Sequence, residues 1–218
     1  MIHLYALVRG LEELPPLTGI EGAALERRQI GGLDLVVSQT GPELPPVTDE
    51  AVLAHASVVE ELMARSRAIL PARFGRAFAN EEELTAAVQT KAPALEHGLS
   101  RVRGCVEFGL RVLGHESPRQ GSTSLSGVEY MRTRLDEEAE RDRLSQELHR
   151  PLALLARADA RFGGASDDLL HAAYLVPDER TAAFRDRVAG LERLHPELTM
   201  VCTGPWPPYS FADSREDA

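Results

Sequence analysis

The residues of this chain that could hold a metal or run acid–base chemistry are seven histidines, two cysteines and a few acidic pairs. His3, His55, His97, His115, His149, His171 and His195 include no two that are three to five positions apart, so an H-E-x-x-H zinc signature is absent. Lys91 is the sole lysine and follows no glycine-rich loop, which excludes a phosphate-cradling G-x-x-x-x-G-K-[ST]. No G-x-G-x-x-G follows a strand, and there is no G-x-S-x-G elbow. Cys105 and Cys202 lie 97 positions apart in apolar runs without a C-x-x-C partner. They read as free buried thiols, since a disulfide would require them to be close neighbours. Asp136-Glu137-Glu138 could act as paired carboxylates, but they sit among charges on a long helix, where a solvated role is expected. Asp167-Asp168 reads as the start of a strand. The expectation is no catalytic residue, no cofactor, no metal and no enzyme.

Two other stretches make physical demands. In Leu70-Pro71-Ala72-Arg73-Phe74-Gly75, an arginine set among apolar residues needs an acceptor if it is buried. Glu107, in Val106-Glu107-Phe108-Gly109, offers one. Either Arg73 or Arg76 pairs with Glu107, or each arginine faces water. The second stretch is Gly204-Pro205-Trp206-Pro207-Pro208-Tyr209-Ser210-Phe211. Its prolines exclude a helix and a central strand. Its three aromatic side chains are able to bury roughly 150–250 Å² each. They lie either on this protein, as a clamp that closes the C-terminal core, or on a partner. A clamp makes Trp206 a buried residue.

These stretches hang on interleaved elements. Ile2 to Val8 is a β run, and Leu25–Ile30 and Leu33–Ser38 flank Gly31-Gly32 as a hairpin. Thr48 caps a helix with Val52, Val59, Leu62, Met63 and Ile69 at helical spacing, stopped by Pro71. Arg73 to Phe78 reads as a strand, and Asn80 caps a second helix to about Leu99. Val102 to Leu113 is a strand, and 114–126 is a polar loop ending in a capping box at Ser126. The longest helix follows, with Val128, Met131, Leu135 and Ala139 in a stripe continued by Leu144, Leu148, Leu152 and Leu155. Between Arg132 and Arg150, 11 of 19 residues are charged, so this face is solvated or docks a partner. Pro151 kinks or restarts this helix, which ends near Gly163-Gly164. Strands at 169–176 and 198–203 enclose a last helix. The order β-β-β-α-β-α, β-α-β-α-β favours α+β: two small sheets, each with helices on one side. The expected boundaries are 1–100, 101–205 and a Pro-aromatic tail at 206–218.

The 218 residues carry a formal net charge of −10, which argues against nucleic acid or an anionic membrane as partner. Met1 to Gly10 lacks the layout of a signal peptide, and no apolar run nears the roughly 20 residues that span a bilayer. A cytoplasmic, soluble protein is expected.

Taken together, the N-terminal β run with Tyr5, Leu70 to Gly75, Glu107-Phe108-Gly109 and the ending Thr203 to Phe211 resemble the gas vesicle protein GvpL/GvpF family, in the same order along nearly the whole chain. The resemblance implies an N-terminal ferredoxin-like variant and a C-terminal α+β domain with a long charged helix. It implies a non-enzymatic factor for gas vesicle assembly, located at the gas vesicle or in the cytoplasm. Such a factor contacts the hydrophobic shell protein and other accessory proteins, as an assembly factor or minor shell component. Arg73, Phe74, Gly75, Glu107, Trp206, Tyr209 and Phe211 are its motif residues, structural or interacting. Fold analogy alone suggests an alternative, a regulatory protein that binds small ligands.

Overall fold

The computed structural model of the chain describes residues 1–43, 46–114, 127–163 and 168–212. The polar loop at 115–126, with Ser126 of the capping box, and Asp167 lie outside the described residues. The chain forms helices and antiparallel sheets, an α+β architecture. It divides into two compact units, one of Met1–Val106 with Trp206–Ala218, the other of Glu107–Pro205. The first break thus falls six residues beyond the expected boundary at 100, and the Pro-aromatic tail groups with the first unit.

The first unit holds β1 (Ile2–Arg9), β2 (Leu25–Ile30), β3 (Leu33–Gln39), β4 (Ala68–Pro71) and β5 (Ala77–Phe78), with helices α1 (Asp49–Arg65) and α2 (Glu81–Val102). Strand order is β2-β3-β1-β4, and β5 also pairs with β1. Gly31 (φ 57°) and Gly32 (φ 84°) form the β2–β3 turn, where both central residues need positive φ. Thr48 caps α1 by accepting from the Ala51 N–H (3.2 Å), and Asn80 caps α2 by accepting from the Glu83 N–H (2.9 Å).

Three readings of this half need correction. Helix α1 ends at Arg65, and Ile69 belongs to β4. A proline restricts the residue before it to extended backbone, so Pro71 ends an edge strand rather than a helix. Residues 73–76 are a turn rather than part of a strand, closed by Arg76 N–H donating to the Arg73 carbonyl (3.1 Å). Helices also cover both faces of this sheet, not one. Ile69 joins the core under α1, while Leu70 meets Gly98 of α2. Adjacent strand residues point to opposite faces. The continuous burial of Ile2–Val8 is the mark of a strand covered on both sides.

The second unit contains most of β6 (Cys105–Leu113), then α3 (Gly127–Ala153), β7 (Ala158–Arg161), β8 (Asp168–Pro177), α4 (Thr181–Leu194) and most of β9 (Thr199–Trp206). Strand order is β7-β8-β6-β9, so the proline-bearing β9 lies at the sheet edge. The rings of Phe108 and Phe184 stack at 5.0 Å in its core. The long helix ends at Ala153, ten residues before Gly163. After Ala153 the chain turns, with Ala156 N–H donating to the Leu152 carbonyl (3.2 Å), and Arg157 N–H donates to the Leu175 carbonyl (2.7 Å) to start β7 beside β8.

The α3 stripe is really two stripes. At about 100° per residue, Leu144 lies roughly 140° around the helix from Ala139. Leu148 and Leu152 are buried, whereas Val128, Met131 and Leu135 face solvent.

Candidate functional site

The most concentrated chemistry lies in the first unit, where the Arg73-Phe74-Gly75 turn crosses β1. Strand β1 carries a bulge: Leu4 pairs with Val37 and Ala6 with Val36, leaving Tyr5 without an opposite residue. The segment between β4 and β5 spans this bulge. Ala72 N–H donates to the Tyr5 carbonyl (2.8 Å) and Leu4 N–H donates to the Arg76 carbonyl (2.9 Å). With Gly75 third in the four-residue turn at φ +84°, the geometry is that of a type II turn, which calls for glycine there. No atom lies within 4 Å of a Cβ built on Gly75. Gly75→Ala should therefore lower stability by about 1 kcal/mol through backbone strain alone, read from urea unfolding. An unchanged midpoint contradicts the turn assignment.

Beneath the turn sit two buried histidines from distant parts of the chain. His3 on β1 and His55 on α1 meet through Nε2 and Nδ1 at 2.9 Å. His55 Nε2 lies 3.0 Å from the Ala72 carbonyl. A carbonyl only accepts, so His55 carries its proton on Nε2, and its Nδ1 accepts from His3 Nε2–H. His3 Nδ1 is then a buried lone pair with no hydrogen-bond partner. Phe74 packs against both rings, at 6.0 Å from His3 and 5.8 Å from His55. Tyr5 stacks on His55 at 5.3 Å, and its hydroxyl bonds Ser38 Oγ (3.0 Å) and accepts from Ile20 N–H (2.8 Å).

Burial, and then the neighbouring His55, push the His3 pKa down from 6.5 to about 4. Burial also lowers His55, against the Ala72 hydrogen bond that raises it. Between pH 6.5 and 4 the unfolded chain therefore binds more protons than the folded one. Stability is full above 6.5 and falls as pH drops through that window. By pH 5 the loss relative to pH 7.5 should be about 2 kcal/mol. Urea midpoints at the two pH values check this, and equal midpoints contradict it.

The motif residues separate into covered and exposed groups. Phe74 and Tyr209 pack on one core cluster with Tyr5, Val58, Val59 and Ile69, although they are far apart in sequence. Burial raises the Tyr209 hydroxyl to about 12, with Glu60 adding to it. Phe211 is 2% exposed, and the Arg101 guanidinium lies over its ring at 5.3 Å. Trp206 is 45% exposed, so the expectation that it is a buried core residue fails. Tyr209 and Phe211 also close the core of the first unit rather than the C-terminal one. Arg73 is exposed, Arg76 sits over the Phe78 ring at 5.1 Å, and Glu107 is buried.

Elsewhere, His149 Nδ1 meets the Tyr174 hydroxyl at 2.9 Å, and its Nε2 lies 3.5 Å from Asp159. This resembles an activated hydroxyl, but Tyr174 has no solvent exposure, and burial raises its pKa. The arrangement satisfies a buried hydroxyl. A hollow of about 390 Å³, lined by Gly10, Glu12, Glu13 and Ala64 to Arg67, lacks the apolar walls usual for small ligands. Among the described residues no three His, Cys, Asp or Glu could hold a metal, and no helix is long and apolar enough to cross a membrane. Cys105 and Cys202 are not joined in a disulfide.

The histidine pair was not visible in sequence, because its partners are 52 positions apart. One signal was available: His55 falls at helical spacing from Ala51, Val58 and Val59, on the buried face of α1.

Comparison with known proteins fits this picture. The family model of "Gas vesicle synthesis protein GvpL/GvpF" matches residues 1–213. Gas vesicle protein F2 of Halobacterium salinarum is 30% identical over 217 residues, covering 97% of this chain and 92% of that one. Gas vesicle protein F1 of the same organism is 30% identical over 184 residues, 83% and 78% of the two chains. The crystal structure of GvpF from Anabaena sp. PCC7120 superposes with a TM-score of 0.79 over 99% of both chains, at 20% identity, a likeness of fold. The chain belongs to the GvpL/GvpF family of gas vesicle synthesis proteins.

Proposed function

We propose that this chain is a non-catalytic accessory protein of gas vesicle formation. It binds the hydrophobic shell protein and other vesicle accessory proteins in the cytoplasm and at the growing vesicle. The observation that carries this reading is the family match along residues 1–213. The surface is consistent with it. Val128, Met131 and Leu135 give α3 an exposed apolar stripe, and Trp206 and Val201 are exposed on β9. A net charge of −10 keeps a protein with such patches in solution. Of the motif residues, Trp206, Arg73 and Gly75 are exposed to a partner. Phe74, Gly75, Tyr209 and Phe211 hold the first unit together, and Glu107 is a buried strand residue.

A pull-down from native-salt lysate of vesicle-forming cells tests this. The tagged chain should retain the shell protein or another vesicle accessory protein. Retention of none of them overturns the reading.

A further inference from the structure

We propose that the buried His3–His55 pair is a proton-sensitive latch on the Arg73-Phe74-Gly75 turn, holding it closed when neutral and releasing it when the pair takes up a proton. The hydrogen bonding requires an asymmetry. With both rings neutral, His3 donates to His55 and His55 donates to the Ala72 carbonyl. A proton placed on His3 goes to Nδ1, which has no acceptor. A proton placed on His55 Nδ1 forces His3 Nε2 to accept, which moves the His3 hydrogen to Nδ1 as well. Every protonated form thus buries an unpaired N–H together with a positive charge, the costly combination.

Among the described residues, the surroundings supply no counter-charge. Tyr5 on β1, Ser38 on β3, and Ala72 and Phe74 in the turn surround the pair, and none is an anion at neutral pH. On α1, Glu60 acts on Tyr209, while Arg73 and Arg76 of the turn are exposed cations. The strain is relieved where the cover is thinnest. His3 lies on β1, which is paired with β3 along its length, and α1 is fixed by Ala51, Val58, Val59 and Leu62. The turn, in contrast, ends in a two-residue strand and has Arg73, Gly75 and Arg76 exposed. Its opening admits water to both rings and exposes Phe74. The latch is independent of the proposed partner.

Amide hydrogen exchange on the full chain between pH 7.5 and 5, corrected for intrinsic rate, tests it. Protection across Ala72–Phe78 should fall about tenfold per pH unit below about 6.5, as for an opening coupled to one proton. Val36 and Val37 of β3 should keep theirs over the same range. In His3→Gln the side-chain amide can donate to His55 or accept from it, so the unpaired N–H is removed and the pH dependence of the turn should weaken. Constant protection in the turn, an equal fall in β3, or an unchanged profile in His3→Gln overturns the latch. If that variant does not fold, the contrast between turn and β3 in the wild-type chain decides.

Discussion

Replacing Phe211 by alanine should destabilise the first unit by about 3–5 kcal/mol, whereas Trp206→Ala should change it by less than about 1 kcal/mol. The two aromatics are five positions apart in one Pro-rich segment, yet their surroundings differ. Phe211 is covered and carries the Arg101 guanidinium on its face. Its removal opens a cavity beside the short helical turn Tyr209–Phe211 and strips a cation–π contact. Trp206 keeps nearly half its surface in water and has little burial to lose. Urea unfolding followed by far-UV circular dichroism measures both variants. A Trp206→Ala loss as large as that of Phe211→Ala would overturn the assignment of the clamp to Phe211.

Gly204→Ala should be nearly as damaging, at roughly 3–4 kcal/mol. Gly204 sits at φ +117°, and a Cβ there would lie 2.6 Å from the Glu107 carbonyl oxygen and 3.1 Å from Phe108 Cδ1. The positive φ contributes about 1–2 kcal/mol and the overpacking about 1–3 kcal/mol. The obstacle is backbone, so no side-chain rotation relieves it. Gly109 is the control. Its Cβ would meet Thr203 Oγ1 at 3.0 Å, a hydroxyl that can turn away. Gly109→Ala should therefore change stability by less than about 1 kcal/mol. Thermal unfolding of the two variants distinguishes them, and equal losses would contradict the close β6–β9 approach.

Much of the fold could be read locally. Gly31-Gly32, Thr48 and Asn80 act through neighbours a few positions away, so the hairpin and both helix starts follow from sequence. The end of α1 was misplaced because Ile69 has helical spacing, while its strand pairing with Val8 depends on a segment 61 positions away. Strand β7 escaped for the same reason: Ala158–Arg161 is polar and short, and it is extended only because β8 lies alongside. The α3 stripe misled because apolar residues recur at helical spacing on either side of a phase jump between Ala139 and Leu144. Of the motif residues, Phe74 and Tyr209 were recognisable as important, but their meeting on one core was not. The histidine pair required both the β1 bulge and the packing of α1, neither of which leaves a local signature.

The proposed function requires this chain to recognise the shell protein without catalysis. The most direct measurement is light scattering of purified shell subunit diluted from denaturant into native salt, with and without the purified chain and with no nucleotide present. A near-equimolar amount of the chain should suppress aggregation and co-elute with the subunit in size-exclusion chromatography. Aggregation that proceeds unchanged at a severalfold excess of the chain, with no co-elution, would contradict it.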